Sequence, residues 1–189
     1  MIYESKYWKD DLLRKAASLE KKKRQKRWLE SSYAMFEKDI MIGFYTIRKL
    51  MESYKVDTAY SSKQVHLHSH ELKDGPSTLW KRWEFFEVYD MEVSKKETMK
   101  LIDVCNQIIH SFHFFVAWSE DSDLEGIYFN SDRLRQQRLL FLEVDKIIDL
   151  FNEIGNNYPN SARSTGPLGC PDTIWIQETR PLEKEEENE

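Results

Sequence analysis

The sequence predicts a mainly α (α+β) protein: a helical bundle with long N-terminal helices, a small antiparallel β-meander and a C-terminal helix. Three observations lead there. Gly and Pro number only six and five among 189 residues, too few for a turn-rich β-sandwich. Apolar residues recur every three or four positions over two long N-terminal stretches. From about residue 112, short aromatic and branched segments between charged turns replace that spacing. With 40% hydrophobic and 13% aromatic residues, the chain can fill one real core. The expected domain spans 1–155, with the meander at about 112–144, and 156–189 form an extended, partly mobile tail.

Each element has its own signal. Residues 5–30 read as a helix on the spacing of Trp8, Leu12, Ala16 and Leu19. Residues 32–55 form a stronger one, with Phe36, Ile40, Phe44, Ile47, Met51 and Tyr54 in a stripe. Gly43 inside it marks the close approach of a neighbour, since glycine weakens a helix by about 1 kcal/mol against alanine. Residues 57–77 look irregular and end in the turn signal "KDGPS". Residues 78–90 read as a short helix. Residues 94–112 read as a helix opened by Ser94 and Glu97, an S-x-x-E capping box. "FHFFVAW", "GIYFNSD" and "RLLFLEV" are the meander strands, and "DKIIDLFNEIG" is the last helix, with Gly155 just past its end. Four of the five prolines lie in the tail, where "TIWIQ" could pair with a sheet edge of its own subunit or of a partner.

Composition excludes several function classes. Cys105 and Cys170 form neither a disulfide framework nor a zinc spacing. The start "MIYESKYWKDD" lacks the apolar core of a signal peptide, and no apolar run approaches 18 residues. A cytoplasmic protein without membrane attachment is expected. Phosphate-loop, dinucleotide, nucleophile-elbow and H-E-x-x-H motifs are missing, so no cofactor is expected. His66, His68 and His70 would share a face if they lay in a strand, but no second ligand cluster accompanies them, and no metal is assigned. "DSDLEG" (121–126) reads as an acidic hairpin turn rather than a calcium loop. Charge is uneven: residues 1–60 carry 14 Lys/Arg against 9 Asp/Glu, and residues 61–189 carry 14 against 24. That asymmetry suits an anionic partner or self-association.

Within 94–112, Asp103, Asn106 and His110 form a polar stripe at i, i+3 and i+7 on an otherwise apolar rod. The segment "CNQIIH" (105–110) resembles the motif of the HEPN superfamily: an Arg, then a polar residue such as Asn, then a His a few positions on. The resemblance covers roughly residues 30–115, and Cys105 stands where the family has its Arg. It implies a helical, usually paired domain of a bacterial defence or toxin–antitoxin system, with metal-independent endoribonuclease chemistry. His110 would be the acid/base, Asn106 would orient the phosphate and Asp103 would hold the His tautomer. RNA cleavage also needs a cation on the scissile phosphate, which a neutral Cys cannot supply. Arg48, on the preceding long helix, is the candidate replacement. The expected function is therefore RNA binding by a degenerate ribonuclease with little or no turnover, and a homodimer is expected. The alternative is a non-enzymatic protein-interaction module in which Asn106 and His110 hydrogen-bond at a helix or dimer contact. Candidate phosphate contacts are Lys21, Lys22, Lys23, Arg24, Lys26 and Arg27, with Arg133 and Arg135 on a later turn beside Arg138. The alternative for both groups is solvated surface.

Overall fold

The computed structural model of the chain describes residues 2–73, 75–167 and 175–180. Its elements run α1 (Lys6–Lys22), α2 (Glu30–Glu52), a 3₁₀ turn (Thr58–Ser62), β1 (Gln64–Glu71), a second 3₁₀ turn (Leu79–Lys81), α3 (Phe85–Val88) and β2 (Lys95–Lys100). Then come α4 (Leu101–Ile109), β3 (Ser111–Trp118), β4 (Leu124–Ser131), β5 (Arg138–Glu143), α5 (Val144–Asn156), β6 (Ser161–Ser164) and β7 (Trp175–Glu178). The expected helical bundle is corrected: the protein is α+β, built on one antiparallel sheet in the order β2-β1-β5-β4-β3. The expected meander is the β3-β4-β5 half of that sheet.

β1 and β2 went unseen for different reasons. In β1, Val65, Leu67 and Ser69 point into the core, and His66, His68 and His70 take the other face. The period-two signal was present, but three histidines alternating with small or apolar residues resemble a polar loop. β2 occupies the first third of the expected 94–112 helix. Its register with β1, Gln64 opposite Lys100 through Ser69 opposite Lys95, overrides the local capping signal. Ser94 and Glu97 cap nothing: the Ser94 hydroxyl lies 3.0 Å from His68 Nδ1, and Glu97 pairs with Arg138 Nη2 at 2.8 Å. The helix begins only at Leu101, straight out of the strand, with Lys100 extended at its N-cap.

The other helix limits also shift. The expected 5–30 helix stops at Lys22. Six like charges in seven positions repel along a helix, and the chain turns there to seat Trp28 against Phe36 and Trp118, at ring separations of 5.7 and 4.8 Å. The expected 78–90 helix shrinks to a 3₁₀ turn and the four-residue α3, whose Val88 packs with Tyr89 and Leu139 against the outer sheet face. α4 and α5 lie on the opposite, inner face, with α2 across α4 and α1 along α5. One apolar cluster joins all four to the sheet, from Leu12 and Phe44 to Ile127 and Phe151. Gly43 does admit a neighbour: a Cβ there would stand 2.1 Å from Phe151 Cζ. Gly155 lies within the last turn of α5, not past it, where a Cβ would meet Leu13 Cδ2 at 2.7 Å. In the tail, Trp175–Glu178 pairs with Ser161–Ser164, not with the main sheet. Thr58 Oγ1 donates to the Gln177 carbonyl and ties that hairpin to the domain. Cys170 lies outside the described residues.

Candidate functional site

α4 is nine residues long, and its polar side forms the floor of an open cleft of about 740 Å³. Asp103, Asn106, Gln107 and His110 come from that floor. Arg48 enters from α2, Asp132 and Arg133 from the β4–β5 turn, and Arg138 from the start of β5. The walls are locked by side-chain bonds. Gln107 Oε1 accepts the Ser131 N–H at 2.9 Å, joining α4 to the end of β4. The β4–β5 turn is held from outside at Ser77: Arg135 Nη1 and Gln136 Nε2 both donate to the Ser77 carbonyl at 2.7 Å. Asn130 Nδ2 donates to the Arg138 carbonyl and to Tyr89 Oη, 2.9 Å each, and His113 Nδ1 lies 2.8 Å from Asn130 Oδ1. Both Asn130 donors are thus used, so its Oδ1 is an acceptor and His113 carries its proton on Nδ1.

His110 occupies the one-residue joint between α4 and β3, with its ring exposed and its N–H donating to the Asn106 carbonyl at 3.1 Å. The role expected for Asp103 is corrected. His110 stands seven positions on, roughly 10 Å of helical rise, and no hydrogen bond joins the two among the described residues. Cys105 lies on the opposite side of α4, fully buried, and desolvation pushes its thiol well above the ordinary range despite Arg48 nearby. It takes no part in the cleft.

The cleft is cationic, but modestly so. Arg48 Nε binds Glu52 Oε1 at 2.7 Å, and Lys49 shares the same carboxylate at 2.6 Å, so the trio keeps one positive charge. Lys49 first, then Arg48, holds the Glu52 carboxyl below its usual range. Arg138 is balanced by Glu97. Arg133 is exposed and pairs with no carboxylate among the described residues. Two buried polar atoms of lining residues have no hydrogen-bond partner among the described residues: Asn106 Oδ1 and Arg138 Nε. Unmet buried groups of this kind mark places where a ligand or solvent completes the bonding.

The basic run lies elsewhere, between α1 and α2, and is partly spent. Lys23 pairs with Asp145 of α5, and Lys26 binds Asp123 at 2.7 Å and the Asp121 carbonyl at 2.8 Å. Lys22 Nζ lies 5.7 Å from the Trp28 ring. Lys21, Arg24 and Arg27 remain exposed without carboxylate partners among the described residues. "DSDLEG" is the β3–β4 turn and its continuation into β4, with Ser122 at φ +60°. Of the residues named from the sequence, Arg48, Asp103, Asn106 and His110 line this one cleft, and Arg133 lies here too rather than completing a face beside the basic run. Sequence reasoning overlooked Gln107, the neighbour of Asn106 in the very segment that drew attention, because an amide on a helix carries no spacing signal.

A second hollow, about 540 Å³, lies on the outer sheet face beside His68, His70, Tyr128 and Phe141. His68 Nε2 is 4.0 Å from Glu143 Oε1, too far for a hydrogen bond, so Ser94, His68 and Glu143 do not assemble into a proton relay. His66, His68 and His70 each face a different oxygen partner, on Thr98, Ser94 and Asp90. No group of three potential ligands could hold a metal among the described residues. No helix among them is long and apolar enough to cross a membrane. Comparisons with protein-family models, curated proteins and solved structures give no match to this chain.

Proposed function

We propose that the protein binds RNA through its phosphodiester backbone in the His110 cleft, weakly and without strong sequence preference. The observation that carries this is the convergence of Arg48, Arg133, Arg138, Asn106, Gln107 and His110 from four elements on one cleft, where a buried acceptor and a buried donor stand unmet. Guanidinium groups and amides are the side chains that grip phosphate and sugar oxygens. With about two uncompensated positive charges near the cleft floor, against Asp103, affinity is expected in the non-specific range, micromolar or weaker. His110 is the one imidazole lining this cleft, and any cleavage would run through it. Turnover is expected to be slight. The position that should bear the motif's cation is a buried thiol, and Arg48 is committed to Glu52. The defence or toxin–antitoxin setting rests on the motif resemblance alone and stays outside this proposal.

A salt titration tests it. Anisotropy of a labelled single-stranded RNA should show affinity falling as salt rises, and Arg133→Ala should weaken binding and flatten the slope by about one counterion. Binding that ignores salt, or that survives Arg48→Ala combined with Arg133→Ala unchanged, removes the cleft reading.

A second reading, a module that pairs with a second copy of itself, is favoured by a different observation. Trp80 and Trp83 are 90% and 74% exposed, two large aromatic side chains open to solvent within four residues. The two readings are compatible, since these side chains lie outside the cleft.

A further inference from the structure

The sheet has two edges, and they are built differently. β2 forms one edge and reads "KKETMK": Lys95, Lys96, Glu97 and Lys100 line it. Charged residues, lysine above all, are how an exposed edge resists pairing with another chain. β3 forms the other edge and reads "SFHFFVAW", eight residues without a single charged side chain other than a histidine that is itself buried and held neutral by desolvation. Its ladder to β4 shifts register at Ser111/His113 and again at Ala117/Trp118, so residues 113–117 form one straight stretch between two bulges. No backbone group of 112–117 bonds to any described part of the chain except through β4 and the strand itself. Half of that stretch's N–H and C=O groups therefore face outward along an open edge.

Aromatic walls stand on both sides of this edge. A groove of about 300 Å³ is lined by Phe114, Phe115 and Val116 together with Tyr33, Phe85, Trp118 and one charged side chain off the strand, Glu37 of α2. Three consecutive strand residues can line one groove only where it opens at the strand's edge, because their side chains alternate between faces. On the outer side Phe85 stacks on Phe115 at 4.4 Å, and the exposed Trp83 meets the same ring at 5.9 Å. On the inner side Tyr33 and Trp118 lie 6.0 Å apart.

We infer that the β3 edge is the interface through which two copies of this chain pair, antiparallel, to make one continuous sheet across a two-fold axis; this rests on the self-pairing reading above. An open row of backbone donors and acceptors is matched by another strand, not by a helix. The strand it fits is uncharged and flanked by aromatics, and the chain itself carries one. Self-pairing is isologous, so each edge satisfies the other. The seam brings no charges of the strands together, although each chain carries a net charge of −5. The only other free edge strand of the main sheet, β2, would set lysine against lysine. Trp83, against Phe115, then lies beside the seam and loses its exposure to the partner.

Sedimentation equilibrium and hydrogen exchange on the full chain test this together. The expected result is a mass near twice 22.7 kDa at high concentration, with the amides of 113–117 protected there and exchanging on dilution. Trp83→Lys, at a solvent-facing position that leaves the core untouched, and Phe115→Lys should each raise the dimer dissociation constant at least tenfold, while Tyr45→Lys on α2 leaves it unchanged. A thermal melt of Trp83→Lys that matches wild type separates lost pairing from lost folding. A dimer that survives both edge variants but is broken by Tyr45→Lys overturns the β3 interface and leaves self-pairing standing. Amides of 113–117 that exchange equally fast in dimer and monomer overturn it too. A monomer at every concentration overturns the interface and the self-pairing reading at once.

Discussion

Cys105 sits at full burial between Leu101 and Ile108 on the core side of α4, while Asn106 and His110 turn to the cleft. A guanidinium placed there by Cys105→Arg would be a desolvated, unpaired cation, so the variant should lose at least ~3 kcal/mol in urea unfolding and should not gain nuclease activity. A wild-type midpoint would show that the position opens to the cleft. His110 predicts the reverse. Its ring is exposed, so His110→Ala should change stability by less than about 0.5 kcal/mol, and any change in RNA handling belongs to the ring itself. His113 supplies a pH dependence. Burial lowers its pKa from the ordinary 6.5, although its bond to Asn130 opposes that and Arg82 and Arg135 reinforce it. The unfolded chain then takes up the proton first, so stability should fall as pH drops below about 6.5 toward the lowered folded value. Melting temperatures across pH 7 to 5 should show a smaller fall for His113→Gln than for wild type; equal slopes would assign the fall to other groups.

Among the elements, α2 and α5 show how tightly the inner layer is fitted. Gly43 faces the Phe151 ring, so Gly43→Ala should cost ~1–3 kcal/mol by overpacking, against the usual gain of alanine over glycine in a helix, and Phe151→Leu should relieve part of it. Additive losses in the double variant would mean the two side chains do not meet. β2 makes a second test. A helix cap at Ser94 would be worth ~1 kcal/mol, whereas in the strand entry seen here Ser94→Ala should change stability by less than ~0.5 kcal/mol. These elements also show what the sequence could reveal. α2 and α5 were legible because each carries a long, regular apolar period, and the β3–β5 meander because its segments are short, aromatic or branched, and bounded by charged turns. β1 and β2 were not. One hides its alternation behind histidines, and the other takes its conformation from a partner strand thirty residues away, which a local window cannot register. The cleft was half legible. The α4 stripe could be named from spacing and Arg48 only as a stand-in for the cation the motif lacks, but that the β4–β5 turn folds over them depends on Ser77 and Asn130, residues with no motif.

Across the whole molecule, the basic N-terminal part and the acidic remainder partly neutralise each other internally. Lys23 with Asp145 and Lys26 with Asp123 join α1 and its following turn to the acidic body. The charge asymmetry of the sequence therefore serves in part to hold the fold, and less of it is free for a partner than the count suggests. Free positive charge remains in two places among the described residues: Lys21, Arg24 and Arg27 on the basic run, and Arg133 with the Arg48–Lys49–Glu52 trio at the cleft, where Asn106, Gln107 and His110 also converge. The claim that this cleft, and not the basic run, meets RNA is tested most directly by amide chemical-shift mapping of the ¹⁵N-labelled protein during titration with a short single-stranded RNA. The account predicts salt-sensitive shifts at Asn106, Gln107, His110, Arg133 and Arg138, including the Asn106 and Gln107 side-chain amides, with residues 21–27 unmoved. Shifts confined to residues 21–27, or no shifts at low salt, would contradict it.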